Sequence, residues 1–376
     1  MRTDYRIRLN VICGISLLAG VFCVESIRAE GNSVQVNALF QSWKIADSAG
    51  EKTIDQWTVP ITGVIPLRND FELLFYAAGS ANSLDANVTD YDLNGVSDVR
   101  LQVHRSFLED RFIFGAGVNL PTGKSDLDFA VDTTIINQLS ENFLSFPLRR
   151  FGQGFGFNVM GGVAGQLGEF NASAGAMYEF TGEFDPYQDQ GSYNPGNLFT
   201  TTVSLSRVFD KLALSGNLLL TFYGADRFDD KKVFEQNTRV SLRLGSSYTQ
   251  KTYRANLSAG YLLRGRNTRY GGNETIVEQL QLFGNEFSAR GSLEFRLANG
   301  WEVGPAAEMR FVAGDERTGA SRFGSSEIYS FGGSVRKSIS GGLNVLANGL
   351  YHTGSADDNK LDVSGLSFSL SLLSAF

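Results

Sequence analysis

Apolar and polar residues alternate with a period of two through most of this chain. Leu212, Leu214, Gly216, Leu218, Leu220 and Phe222 share one parity, as do Leu293, Phe295 and Leu297. Val99, Leu101 and Val103, then Phe112, Phe114, Ala116, Val118 and Leu120, repeat the pattern. Such alternation predicts β-strands with one apolar face. The runs are about ten residues long, the length a tilted strand needs to cross a bilayer. Tight turns are predicted at Arg68-Asn69-Asp70, Leu108 to Arg111, Gly168-Glu169, Asp210-Lys211, Thr249 to Lys251, Asn299-Gly300 and Ser340-Gly341. Longer polar loops are predicted at Asp47 to Lys52, Ser80 to Gly95, Pro121 to Arg150, Gly182 to Asn197, Gly224 to Lys232, Arg266 to Phe283, Gly314 to Ser325 and Gly354 to Asp362. Seven turns and eight loops make 16 strands, with both ends on the short-turn side; twelve or fourteen also fit the pattern. The expected fold is all-β, a closed antiparallel transmembrane barrel over residues 30–376. A soluble sandwich, the competing all-β architecture, does not readily sort its connections into a short side and a long side.

Both ends of the chain agree with that expectation. Arg2, Arg6 and Arg8 precede a 14-residue apolar run from Val11 to Val24, and small residues follow. This is the pattern of a cleaved export signal, with the cut expected after Ala29. The run is too short for a membrane-spanning helix, and no other segment reaches the ~18 apolar residues that one needs. At the other end, Leu366, Phe368, Leu370 and Leu372 alternate with serines up to Phe376. That strand resembles the closing strand of a bacterial outer-membrane barrel, although Ser374 stands where such strands often carry an aromatic residue. The resemblance implies that the barrel-assembly machinery reads Phe368, Leu370, Leu372 and Phe376. It also implies outer-membrane lipid and lipopolysaccharide as surroundings.

Composition narrows the function classes. Both cysteines, Cys13 and Cys23, fall inside the export segment, so the processed chain is expected to hold no thiol, disulfide or cysteine-based metal site. Without residues 1–29 the chain carries 29 basic and 38 acidic residues, a net charge of −9 that disfavours nucleic acid as a partner. The 42 Gly, 29 Phe and 13 Tyr against 7 Pro suit twisted strands and interfacial aromatic belts. Only Glu30 to Asn32 precede the first alternating run, which leaves no room for an N-terminal plug. The glycines, including Gly154, Gly156, Gly161 and Gly162, lie in strand-like sequence and form no nucleotide-binding motif.

One segment carries a more specific resemblance. Gly95-Val-Ser-Asp98-Val-Arg-Leu is followed, after a turn, by Phe114-Gly-Ala-Gly-Val-Asn-Leu-Pro-Thr-Gly-Lys124. This is similar to the outer-membrane family named for the meta-pathway of phenol degradation. Its members open a strand on Gly-x-Gly-Asp and close the next on Leu-Pro-x-Gly; Ser97 here replaces the second glycine. The resemblance covers roughly residues 95–180 and implies a channel for aromatic or other small organic compounds.

The longest loop, Pro121 to Arg150, places Ile135, Ile136, Leu139, Phe143 and Leu144 at helical spacing before Pro147. Two placements fit: folded into the barrel to narrow a pore, or outside, shielding the rim. Along the late strands, charged residues take the parity opposite to the apolar ones. Arg239, Arg243, Arg254, Arg290, Glu294, Arg296, Glu302, Glu308 and Arg310 are therefore expected to face the lumen, because a charge on the lipid face costs ~2 to 4 kcal/mol at the midplane. The matching positions of earlier strands are neutral, so the lumen is expected to be lopsided, with selectivity set by the charged wall.

The two histidines are expected at opposite rims, His104 near the short turns and His352 near the long loops. His352 lies close in sequence to Asp357 and Asp358, which admits a hydrolase reading resembling the omptins. No catalytic residue, metal ligand set or cofactor motif is otherwise legible. The expected function is passive diffusion of small solutes. A barrel enzyme at the outer rim and a non-conducting structural barrel are the alternatives.

Overall fold

A computed structural model describes residues 32–375, apart from 49, 69, 87–88, 126 and 340–341. The export segment 1–29 and Phe376 lie outside the described residues, as do parts of the turns at 69 and 340–341.

Sixteen barrel strands run in chain order. They are β1 Ser33–Asp47, β2 Gly50–Pro66, β3 Phe71–Asp85, β4 in two pieces (Asp90–Val96 and Val99–Phe107) and β5 Phe112–Leu120. Next come β6 Gly156–Leu167, β7 Phe170–Thr181, β8 Leu198–Phe209, β9 Leu212–Tyr223, β10 Arg239–Thr249 and β11 Tyr253–Arg264. The last are β12 Glu286–Arg296, β13 Trp301–Val312, β14 Ser326–Ser338, β15 Leu343–Ala356 and β16 Leu361–Ala375. Each pairs antiparallel with its neighbour in sequence, and β1 pairs with β16 from Ser33↔Ala375 to Ala46↔Asp362, which closes the barrel. Closure satisfies every strand edge within the ring, the condition for a sheet to cross lipid.

Cross-strand partners point to the same side of the sheet, so the register fixes two faces. Leu366 and Phe368 of β16, Phe40 of β1, and Trp57, Val59 and Ile61 of β2 are all outward, and all but the half-buried Phe40 are exposed. An outward belt this apolar is stable only against lipid. Aromatic pairs reinforce it, with Phe157 stacked on Phe180 at 4.2 Å and Phe40 against Trp57 at 4.7 Å. Phe368, Leu370 and Leu372 share that outward face.

Two arginines also point outward, and both lie beside short turns. Arg105 sits over the rings of Phe71 and Phe107 at 5.0 and 4.7 Å, and Arg207 over Phe209 and Phe170 at 4.1 and 5.4 Å. At that level a guanidinium rests on aromatic faces while its head reaches the lipid headgroups, so the midplane cost does not apply.

All seven tight turns fall on one side, within 67–70, 108–111, 168–169, 210–211, 250–252, 297–300 and 339–342. Three of the expected long loops are instead hairpins of strand. β1 and β2 pair out to Asp47↔Gly50, β3 and β4 out to Asp85↔Asp90, and β15 and β16 out to Ala356↔Leu361. These strand ends project beyond the lipid, where both faces meet water or protein. Alternation stops there although the hydrogen-bond ladder continues. Other outer connections build a second sheet from Tyr193–Asn194, Ala225–Phe228, Lys231–Glu235, Asn267–Tyr270 and Ile276–Leu280. Gly154, with φ of +79°, belongs to the outer connection and not to a strand; β6 begins at Gly156.

A labelling experiment checks the sidedness. A cysteine at Asp189 or Thr318, on the long-loop side, should react on intact cells with a thiol reagent that cannot cross the membrane. One at Asp210 or Asn299 should react only after disruption. The reverse pattern would invert the topology.

Candidate functional site: the inward wall and its inserted loop

The connection between β5 and β6 folds into the barrel. Its helix α1, Asp132–Ser140, turns Ile135 and Leu139 inward, and Phe143, Leu144, Phe146, Leu148 and Phe151 follow, all buried. They pack with Trp43, Ile45, Ile54, Leu84, Leu93, Val312, Ile328, Ala356 and Val363. Those are inward positions near the outer ends of β13–β16 and β1–β4. The apolar face of the helix is therefore covered by the barrel interior, not by lipid or rim. Of the two placements open to this segment, the interior one is found: seven buried apolar side chains of the connection have their apolar partners inside the wall.

Asp98 explains how the loop is seated. β4 breaks at Ser97–Asp98, and the Ala78 N–H donates to Ser97 Oγ at 3.0 Å across the break. The buried Asp98 carboxylate accepts from Gly123 N at 2.8 Å, Gln153 N at 2.7 Å and Asn119 Nδ2 at 2.9 Å. One side chain thus pins both ends of the inserted segment. A Cβ on Gly123 would lie 2.6 Å from the Phe151 carbonyl and 2.8 Å from Asp98 Oδ1, so only glycine allows this approach. Gly95 is equally confined, under the Phe151 ring. The Ser-Asp and Leu-Pro-Thr-Gly residues singled out by resemblance meet here, around one carboxylate.

Asp98→Ala removes three charge-assisted hydrogen bonds and should loosen the loop by about 4.5 kcal/mol, taking a net ~1.5 kcal/mol for each bond. Trypsin should then cut the folded, detergent-solubilised protein faster at Arg149 and Arg150. Cutting at the wild-type rate would show that the loop is seated by its apolar face alone.

Further polar ties hold the insert. Gln56 donates to Leu148 O at 2.7 Å and accepts from Leu148 N at 3.2 Å; Lys52 Nζ donates to Gln138 Oε1 at 2.6 Å. Burial holds the Glu141 carboxyl above the usual carboxylate range, with Lys52, Arg317 and Arg149 drawing it back.

The register places the nine charged residues of the late strands as follows. Arg239 is opposite Arg264, Arg243 opposite Asn217, Arg254 opposite Glu294, Arg290 opposite Glu308 and Arg296 opposite Glu302. Their parity is shared with Ser330, His352 and Trp43, whose rows run into the buried interior. They do not all serve one purpose. Arg310 donates to the Phe143 carbonyl and so clamps the insert. Arg296 bridges Glu302 at 3.1 Å and donates to Gln250 O at 3.1 Å, tying β12 and β13 to the neighbouring short turn.

Four further charges join this wall. Arg264 bridges Glu286 at 2.5 Å, Arg336 lies 3.9 Å from Glu302, and Arg149 of the insert is within electrostatic reach of Glu286, Arg310 and Arg264. Arg264, Glu286 and Arg336 share the parity of their strand neighbours, a signal sufficient to find them. Arg149 had none, since a loop residue carries no parity. With these included, nine arginines and four glutamates gather on the inward side of β10 to β14 and on the insert that touches it.

Both histidines are buried on the inward face of the barrel. His352 lies in the wall, stacked on Trp43 at 4.7 Å, with Ser330 Oγ 2.7 Å from Nδ1 and Ser367 Oγ 2.9 Å from Nε2. Asp357 and Asp358 are engaged elsewhere, with Gly324, Lys360, Ser325 and Arg322. The His–Asp association suggested by sequence proximity is therefore not made.

No protein-family model and no curated protein matches this chain. Similar solved structures include an outer-membrane channel from Pseudomonas putida F1, 14% identical over 62% of this chain and 88% of that one, with a TM-score of 0.39. The outer-membrane protein OprD of Pseudomonas aeruginosa is 10% identical over 92% and 95%, with a TM-score of 0.47. A Pseudomonas aeruginosa FadL homologue is 11% identical over 92% and 91%, with a TM-score of 0.44.

Proposed function

We propose that this protein is an outer-membrane channel through which small organic solutes diffuse passively, with a bias toward anions. A single observation carries the reading: an inserted loop pinned by Asp98 lies beside an inward face of β10 to β14 that is rich in arginine. A 16-stranded barrel is too wide for side chains alone to fill, so the insert narrows the lumen and does not replace it. Interior charges then act on the solute at short range, where the low-dielectric surroundings strengthen them. Arg239, Arg243 and Arg290 are the selectivity residues in this account, and Glu308 offsets part of their field. Outer-membrane lipid and lipopolysaccharide surround the barrel, and the assembly machinery inserts it. His352, saturated by two serine hydroxyls, serves to stiffen the wall.

Proteoliposome swelling tests the reading. Vesicles carrying the purified protein should swell in isotonic small organic acids faster than in neutral solutes of equal size, and swelling should fall as solute size rises. Rates equal to those of protein-free vesicles would overturn it.

A further inference from the structure

One row of inward residues brings together side chains that neither the wall nor the insert uses. The register aligns His104 of β4 with Gly115 of β5, Met160 of β6 and Met177 of β7. The chain holds two histidines and four methionines. Met1 falls in the export segment, and Met309 pairs with Tyr329 on the outward face. Both inward methionines and one histidine therefore share a single row.

Gly115 leaves a gap between them. A Cβ there would lie 2.5 Å from His104 Cδ2 and 3.1 Å from Met160 Cγ, so ring and thioether arm lean over the same glycine. Met160 and Met177 pack together with Ile113 and Ala164. His104 is only 1% exposed, and neither ring nitrogen has a hydrogen-bond partner among the described residues. A buried imidazole left unpaired is unfavourable unless something else takes its lone pair. Gln102 Nε2 reaches Met160 Sδ at 3.3 Å, which orients that sulfur, and Glu72 stands opposite His104 in the register of β3.

We propose that His104, Met160 and Met177 form a site for a soft monovalent cation, Cu(I) or Ag(I), in the lumen wall. A neutral imidazole nitrogen and two thioethers are soft donors that suit such an ion and disfavour Mg²⁺ or Ca²⁺, which require oxygen. Methionine side chains are flexible enough to turn both sulfurs toward a bound ion without moving the strands. Glu72 supplies a neighbouring negative charge.

The test is Ag(I) titration, in chloride-free buffer, of the protein purified from membranes, with its processing checked by intact mass. Methionine methyl NMR reads the outcome. The signals of Met160 and Met177 should shift and saturate at one equivalent while that of Met309 stays in place. His104→Gln should weaken binding at least tenfold, and Met309→Leu should not. Should the histidine variant misfold, Met160→Leu, which conserves volume, should give the same loss. Absence of saturable binding, equal shifts at all three methionines, or wild-type affinity in Met160→Leu would overturn the proposal.

Discussion

Excising residues 126–149 and joining 125 to 150 with a short Gly-Ser bridge should raise single-channel conductance several-fold. The insert packs against Trp43, Ile54, Leu84 and Ile328 near the outer ends of their strands. Removing it leaves a 16-stranded ring, a size whose interior holds water. The cost falls on stability, because each of those side chains loses ~1.5 to 3 kcal/mol of burial. The barrel itself should survive, since its closure from β1 to β16 involves no residue of the insert. Heat-modifiable gel migration would report folding beside the conductance. An unchanged conductance in a folded variant would mean that ions do not pass the insert.

The second large effect concerns charge. Replacing Arg239, Arg243 and Arg290 with glutamate changes the inward wall by six charges and should reverse the sign of the zero-current potential in a salt gradient. Arg310 is left in place because it holds Phe143, and its loss would disturb the insert as well as the field. Two unit charges 4 Å apart interact by ~1 kcal/mol in water and by ~4 kcal/mol near a protein surface, so three reversed arginines exceed thermal energy. The effect should shrink at 1 M salt, where the Debye length falls to ~3 Å. A reversal potential unchanged at low salt would remove these arginines from the conducting path.

The strands were legible because lipid imposes alternation on one face. Leu212, Leu214, Leu218, Leu220 and Phe222 keep one parity because each points outward, toward lipid. The same cause explains where the reading failed. Gly50 to Lys52 and Ser80 to Asp85 extend past the bilayer, no longer alternate cleanly, and therefore read as loop. The helical spacing of Ile135 to Leu144 was visible, but its partners Trp43, Ile54 and Ile328 lie on strands far away in the chain. Spacing alone could not tell interior from rim. Asp98 was noticed only as part of a motif. Its carboxylate binds residues 21, 25 and 55 positions distant, a convergence that exists only once the barrel closes. The paired Ser330, His352 and Ser367 were hidden for the same reason.

The central claim is that the lumen stays open beside the seated insert, and single-channel recording of the intact protein in planar bilayers tests it most directly. Discrete current steps, with a reversal potential on the anion side in a salt gradient, are predicted. Silence from the intact protein, alongside steps from the loop-excised form, would contradict the claim and make the insert a plug.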